Sequence, residues 1–383
     1  MSGDFRTELP RTSCRIRIGE NMKKERNLIH IEFIRIFAAF FVIFNHTGND
    51  GFFLFAFYDK GSLTYWAYMF LSVLCKISVP LFFMIAGALL LRKDMSFKKI
   101  WSEKIMRMAL ALFIFSVITY IGTGLYSPGG TLSVGDFFYK LYAKRVTYAY
   151  WYIYAYIALL MTLPFLRAMV KNISENYYRY LIVLYIVFVS VIPCLEYRLS
   201  QGRVHLYQQL SPAWILADIV FWPLLGCYLE NVYDWKKCTG KTVGLWALAG
   251  VAGIMAACYM INYMYGVTGE CTKETSQTFH SSFIVFPCIA IYVALKYFWS
   301  GKTGQRVPGT AKKIITSLGG CTFGIYLLHM LIKEYFSGLW DVFREDWHVN
   351  HMLSALLVCA SVFAAGYVLT LVLKKVPGLR RLL

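Results

Sequence analysis

The feature of this sequence that most constrains its fold is a series of apolar blocks, each about twenty residues long. A block of this length crosses a hydrocarbon core about 30 Å thick as a helix. Because the bilayer core offers no water to the backbone, a helix is the way for each block to satisfy its N–H and C=O groups. We therefore predict an all-α polytopic membrane protein with about ten transmembrane helices. The blocks lie at residues 28–48, 66–91, 105–125, 147–166, 178–197, 211–229, 242–265, 280–299, 314–333 and 352–373.

The composition agrees with this fold class and excludes others. Hydrophobic residues make up 58% of the chain and charged residues only 16%, whereas a soluble domain carries about 25% charged residues. An ordinary cytosolic enzyme, a disulfide-stapled secreted domain and a disordered tail are thereby excluded. The ten cysteines lie mostly inside the apolar blocks and show no ligand-spaced pattern, so no metal site is predicted.

The net charge of +18 is distributed unevenly along the chain. Of the 39 Lys and Arg residues, 28 lie in loops on the side of the N-terminus and nine in the opposite loops. The acidic residues of the two sides number nine and ten. By the positive-inside rule both termini are cytoplasmic, in agreement with the even number of blocks. The positive charge is thus a topological bias, and nucleic acid is not a predicted partner.

The chain divides into three predicted regions. Residues 1–27 form a polar and basic cytoplasmic tail that lacks the apolar core of a signal peptide. Residues 28–374 form the ten-helix membrane domain, and residues 375–383 a short basic cytoplasmic tail. Membrane lipid is a predicted partner, and a homo-oligomer is left open.

The first apolar block carries three ionisable residues, Glu32, Arg35 and His46. A charged side chain costs roughly 2.5–3.5 kcal/mol at a helix centre on insertion scales. Arg35 and His46 are three helical turns apart, which places them on one face and separates them by about 16 Å, and Glu32 can pair with Arg35 at i,i+3. Alternatively, Arg35 snorkels to the headgroups and His46 bonds an interfacial carbonyl. Three such residues on one stripe favour a functional site.

Three groups fall at one depth in the outer half of the membrane: His46, Lys76 and His329. Tyr326 lies one turn below His329 on the same face. These side chains can transfer protons or stabilise an anion. The alternative for Lys76 is a structural charge paired with Asp218.

The loop before the third helix is dense in cations, and its default interpretation is contact with lipid headgroups. Lys104 and Arg107 stand one turn apart where this helix enters the membrane. Their spacing also suits the binding of a diphosphate.

Five motifs, in order, resemble the acyltransferase-3 family, whose members are multi-span enzymes that O-acylate polysaccharides and related acceptors. Glu32 to His46 resembles its D-x-x-R-x(10)-H signature. The other stretches are Val79-Pro-Leu-Phe-Phe-Met-Ile-Ala-Gly87, Lys104-Ile-Met-Arg107, Trp151-Tyr-Ile-Tyr154 and Gly324-Ile-Tyr-Leu-Leu-His329. The chain departs from the family pattern at four positions. Glu32 replaces an aspartate, Ala86 replaces a serine and Lys104 replaces an arginine. Ala149 stands at a position that is histidine in many relatives.

The resemblance implies an O-acyltransferase of the bacterial cytoplasmic (inner) membrane. The donor would be an acyl-CoA, in the first instance acetyl-CoA, and the acceptor a hydroxyl of an extracytoplasmic glycan or another molecule. His46 would be general base or transient acyl carrier, and Lys76, Tyr326 or His329 would hold the developing oxyanion. Arg35, buried with Glu32, would orient the phosphopantetheine. Lys104 and Arg107 would bind the CoA phosphates.

Candidate acceptor-binding residues are Tyr150, Trp151 and Asp218. The aromatic rings can stack on sugar faces, although anchoring at the membrane interface explains them equally well. The chain also resembles the membrane modules fused to certain serine racemases, whose role is closer to substrate uptake. The alternative function is therefore a transporter or permease-like module for a polar solute such as an amino acid or glycan. In that case the same charges line a pathway.

Overall fold

The computed structural model describes residues 28–126, 132–270 and 279–383. The predicted basic tail at 1–27 lies outside the described residues. The described residues contain helices and turns and no strand. The main helices are α1 Ile29–Asn45, α2 Leu63–Leu90, α3 Phe97–Tyr126, α4 Val134–Ala143, α5 Tyr148–Asn172, α6 Glu175–Ser200, α7 Asp218–Cys227, α8 Gly240–Thr268, α9 Val285–Ser300, α10 Gly309–Tyr335 and α11 His351–Leu373.

Within the described residues, seven helices are long and apolar enough to cross a membrane: α2, α3, α5, α6, α8, α10 and α11. α1 and α9 are apolar but shorter, at 17 and 16 residues. α7 continues for one π-helical turn to Val232. The prediction of an all-helical, multi-pass membrane protein is confirmed. The count of ten transmembrane helices and the cytoplasmic position of both termini stay predictions.

α2 is interrupted near its middle, between segments Leu63–Cys75 and Ser78–Leu90. Pro80 lies in the first turn of the second segment. Because proline has no backbone N–H, the helical hydrogen bond that residue 80 would give to the Lys76 carbonyl is missing. The interruption places Lys76 at the end of the first segment, in the part of the bundle where α1 also ends.

Glycines allow several helices to approach at backbone distance, as is common in membrane proteins. A Cβ at Gly87 of α2 would lie 1.9 Å from the Pro223 carbonyl oxygen of α7, and one at Gly226 of α7 would lie 1.9 Å from the Met84 carbonyl oxygen of α2. At these two glycines the backbones of α2 and α7 are in direct contact, which fixes the position of one helix against the other.

α10 makes two similar approaches. A Cβ at Gly319 would lie 2.2 Å from Glu32 Oε2 of α1, and one at Gly324 would lie 2.4 Å from Thr370 Oγ1 of α11. α10 is therefore held between α1 and α11, and this packing fixes the position of His329 relative to His46.

Candidate active site

His46 ends α1, and its orientation is fixed by a backbone carbonyl of its own helix. Its Nδ1 lies 2.7 Å from the Val42 carbonyl oxygen. A carbonyl oxygen only accepts hydrogen bonds, so Nδ1 carries the proton and the neutral ring has its lone pair on Nε2. Nε2 is buried and has no hydrogen-bond partner among the described residues. The imidazole thus presents an unengaged basic nitrogen inside the bundle.

His329 on α10 repeats this arrangement. Its side chain is fully buried, and its Nδ1 lies 2.6 Å from the Tyr326 carbonyl oxygen. Its Nε2 likewise has no partner within the described part of the chain. The ring centroids of His46 and His329 are 5.2 Å apart. The structure therefore brings together two of the residues predicted at one depth, with matching tautomers.

Two tyrosine hydroxyls anchor α10 beside α5. Tyr150 donates to the Leu327 carbonyl at 2.8 Å, and Tyr326 donates to the Ala149 carbonyl. Tyr150 is completely buried, so the structure places this predicted sugar-stacking residue inside the helix packing. The hydroxyl proton of Tyr326, a predicted oxyanion donor, is engaged by a carbonyl.

Two lysines lie within electrostatic range of His46: Lys76 and Lys333. Lys333 stands one turn beyond His329 on α10, and its Nζ donates to the His46 carbonyl oxygen at 2.5 Å. The Nζ of Lys76 lies 4.7 Å from the centroid of the Phe52 ring. A site with two cations near a basic nitrogen can stabilise negative charge that develops during a reaction.

Asp218, which the sequence offered as a partner for Lys76, lies elsewhere on α7. Asp218 lies at the surface of the protein, and its carboxylate accepts a hydrogen bond of 2.8 Å from Trp222 Nε1. No ion pair joins these two described residues, Lys76 and Asp218. Trp151, the other predicted acceptor-binding residue, is half-buried at the start of α5 and packs edge-on against Tyr152.

Arg35 and Glu32 form the predicted i,i+3 pair, with Nη1 2.7 Å from Oε1. Both side chains are half-buried, and Glu32 Oε2 has no partner among the described residues. Arg35 lies within electrostatic range of Tyr152 and Tyr156 on α5. Arg107 also lies within range of Tyr156, so two of the residues predicted to hold the donor meet around one tyrosine.

A continuous row of rings joins Arg35 to His46. Tyr152, within electrostatic range of Arg35, has its ring centroid 5.5 Å from that of Tyr326. Tyr326 is 5.5 Å from His329, which is next to His46. The row, which we call the α1–α5–α10 path, connects the two predicted halves of the site through buried side chains.

Lys104 and Arg107 lie where α3 begins, half-buried and within electrostatic range of each other. Arg107 donates two hydrogen bonds to the Leu382 carbonyl, from Nε at 3.1 Å and Nη2 at 3.0 Å. The Leu382 carbonyl therefore occupies two donors of this guanidinium. No group of three or more metal-ligating side chains occurs in the described ranges.

Two residues beside the histidines are not among the predicted catalytic residues. Lys333 follows His329 at i+4, which places both on one face of α10. Tyr148 is one of the aromatic residues at the start of α5 for which sugar stacking and interfacial anchoring are equally good interpretations, and its ring centroid lies 6.1 Å from that of His46. The contact of Tyr148 depends on how α5 packs against α1, which local sequence does not encode.

The fold and the paired imidazoles define a class: a multi-pass helical membrane protein with a candidate acid–base site inside its bundle. A family model described as an acyltransferase domain matches residues 28–371. This match covers nearly the whole chain, and the protein belongs to the acyltransferase-3 family, as its motifs predicted. It is a membrane acyltransferase. No curated protein and no solved structure matches the chain significantly.

Proposed function

We propose that this protein moves an acyl group, acetyl in the first instance, from cytoplasmic acyl-CoA to a hydroxyl of an extracytoplasmic glycan or similar acceptor. The proposed setting is the cytoplasmic membrane of a bacterium. The observation that carries the proposal is the His46–His329 pair, with rings 5.2 Å apart and both Nε2 atoms buried without a partner among the described residues. A buried acceptor left unsatisfied costs about 1–3 kcal/mol, which a substrate hydroxyl that donates to one of these nitrogens would offset.

In this proposal the donor arrives from the opposite end of α1, along the α1–α5–α10 path. Lys104 and Arg107 would hold the CoA phosphates, and Arg35 would orient the phosphopantetheine where it meets Tyr156. From Arg35 to His46 the arm must cover about 16 Å along the helix. An extended pantetheine arm is of this order of length. The thioester would therefore reach the two histidines while the nucleotide stays at Lys104 and Arg107.

In the direct route, the acceptor oxygen attacks the thioester carbonyl while His46 Nε2 takes the hydroxyl proton. The new C–O bond forms, the carbonyl oxygen becomes an oxyanion, and the cations of Lys76 and Lys333 stabilise it. Collapse breaks the C–S bond, and the CoA thiolate leaves with the proton from His46. The histidine returns to its neutral tautomer because Val42 holds Nδ1–H throughout.

In the carrier route, His46 Nε2 attacks the thioester itself, releases the CoA thiolate and holds the acyl group until the acceptor hydroxyl takes it. Incubation of purified protein with labelled acetyl-CoA and no acceptor separates the two routes. Label trapped on His46 supports the carrier, whereas slow hydrolysis without trapping supports direct transfer.

The central test is acetyl transfer by His46→Ala in nanodiscs. Removal of a general base or nucleophile lowers the turnover rate by about 100- to 10,000-fold. The matched control is His30→Ala, because His30 is a buried histidine on the same helix, where it contacts Glu230 at 3.1 Å. It reports damage to α1 without touching the paired imidazoles. Wild-type turnover in His46→Ala would exclude the proposed role, and solute flux independent of acyl-CoA would favour the transporter.

A further inference from the structure

A small cationic rim lies beside the candidate active site, at the end of α1 that carries His46. Lys144 and Arg145 follow α4 directly, and the chain then turns into α5 at Tyr148. Together with Ala143, these residues line a cavity of about 510 Å³. We call Lys144, Arg145 and Tyr148 the α4–α5 rim.

Tyr148 connects this rim to the chemistry. Its ring makes a T-shaped contact with the imidazole of His46, at 6.1 Å between centroids. The guanidinium carbon of Arg145 lies 4.5 Å from the centroid of the same ring. The Arg145 cation and the candidate base thus contact the same aromatic ring. A ligand group bound at Arg145 would have its neighbouring atoms close to His46.

The charge of the rim is balanced only in part within the described residues, where Lys144 lies within electrostatic range of Asp136. The one acidic residue of α4, Asp136, already pairs with Lys140 at 2.8 Å and accepts a hydrogen bond from Tyr120. Lys144 and Arg145 form no ion pair within the described ranges, and each instead lies over a tyrosine ring. Both side chains are exposed, so an anion can reach them.

The stretch that contains the α4–α5 rim has a higher ratio of basic to acidic residues than the loops on its side of the protein taken together. The loops on that side carry nine basic and ten acidic residues in total, whereas the stretch 132–148 carries three basic residues and one acidic residue. The positive-inside bias does not account for an excess of cations there, because that bias applies to the cytoplasmic loops. The local excess therefore points to a ligand.

We propose that the α4–α5 rim binds a phosphate or carboxylate of the acceptor, so that the acceptors of this transferase are anionic polyols or glycans. This inference rests on the proposed function. Arg145, stacked over Tyr148, keeps the edge of its guanidinium available for a bidentate contact with an oxyanion. Lys144 adds a second exposed charge beside it. The acceptor hydroxyl next to the bound anion then lies at His46.

The test compares sn-glycerol 3-phosphate with glycerol as acceptors of labelled acetyl-CoA, in phosphatidylcholine nanodiscs. The measured quantity is the ratio of the KM for glycerol to that for glycerol 3-phosphate. We expect a ratio above one in the wild type, and we expect Lys144→Gln/Arg145→Gln to lower it about tenfold, as for the loss of partly exposed charge contacts. Lys140→Gln is the matched control, because its charge is paired with Asp136, and should keep the wild-type ratio.

Direct binding of glycerol 3-phosphate, measured by saturation-transfer NMR, separates this inference from the proposed function. Binding that is retained in His46→Ala and lost in Lys144→Gln/Arg145→Gln supports the rim even if no acetyl transfer occurs. A wild-type ratio of one, or equal binding by all variants, would overturn the inference while transfer itself stands. An effect of the rim variants that appears only when phosphatidylglycerol is present would assign the cations to lipid headgroups and overturn it as well.

Discussion

At the scale of single residues, the chemistry of the site depends on backbone carbonyls. His46 and His329 each direct Nδ1–H to a carbonyl of their own helix, which leaves both Nε2 atoms as acceptors. Lys333 in turn donates to the His46 carbonyl, and this bond ties the end of α1 to α10. Loss of Lys333 would loosen the imidazole and would also remove one of the two cations proposed to stabilise the oxyanion.

Lys333→Met tests both roles together, because the substitution keeps about the length of the side chain and removes the donor and its charge. We expect kcat for acetyl transfer to fall about tenfold, the value of one charge-assisted hydrogen bond, with KM for acetyl-CoA unchanged. Lys333→Arg should restore most of kcat. Lys374→Met is the control, since Lys374 makes a similar bond of 2.6 Å to the Gly320 carbonyl far from the histidines. Wild-type kcat in Lys333→Met would show that the bond has no part in turnover.

The sequence predicts local relations between residues well and long-range ones poorly. The Glu32–Arg35 pair follows from i,i+3 spacing and is present at 2.7 Å. The equal depth predicted for His46 and His329 agrees with their ring separation of 5.2 Å, but equal depth alone does not make two helices neighbours. In contrast, the bonds of Tyr150 to Leu327 and of Arg107 to Leu382 join residues 177 and 275 positions apart. Such contacts depend on how distant helices rotate against each other, and hydrophobic periodicity does not determine that rotation.

At the scale of helices, glycines decide how closely the elements that carry the site approach. Gly319 and Gly320 are neighbours on α10, but their environments differ. A Cβ at Gly319 would meet Glu32 at 2.2 Å from Oε2 and 3.1 Å from the α1 backbone, whereas one at Gly320 would meet nothing within 4 Å. The family motif residue Gly324 has the same function against Thr370 of α11.

We therefore expect Gly319→Ala to push α1 away from α10 and to disturb the Glu32–Arg35 pair. Overpacking of this kind costs about 1–3 kcal/mol, so the melting temperature of the purified protein should fall and acetyl transfer should weaken. Gly320→Ala is the matched control, one residue away, and should melt like the wild type. Both quantities can be read from the same preparation, by thermal unfolding in detergent and by product formation. Identical melting of the two variants would contradict the close approach of α1 and α10.

At the scale of the whole molecule, the membrane orientation decides which end of the α1–α5–α10 path faces the cytoplasm and which end faces outside. The distribution of charge predicts the orientation: 28 Lys and Arg residues lie in loops assigned to one side and nine in loops assigned to the other. Moving basic loops across the membrane is disfavoured during insertion. The donor site around Arg107 would then face the cytoplasm, where acyl-CoA is found, and the α4–α5 rim would face the acceptor outside.

Cysteine labelling tests this orientation. The eight described cysteines are buried and free, so a background that lacks only Cys14 and Cys271, which lie outside the described residues, should react weakly. Tyr142, 93% exposed beside the α4–α5 rim, is predicted to be extracytoplasmic, and Thr303, exposed between α9 and α10, cytoplasmic. A membrane-impermeant maleimide should label Tyr142→Cys in intact cells and Thr303→Cys only after permeabilisation. The opposite pattern would place the acceptor rim on the same side as the cellular acyl-CoA, and transfer across the membrane would no longer explain why the donor and acceptor residues lie at opposite ends of α1.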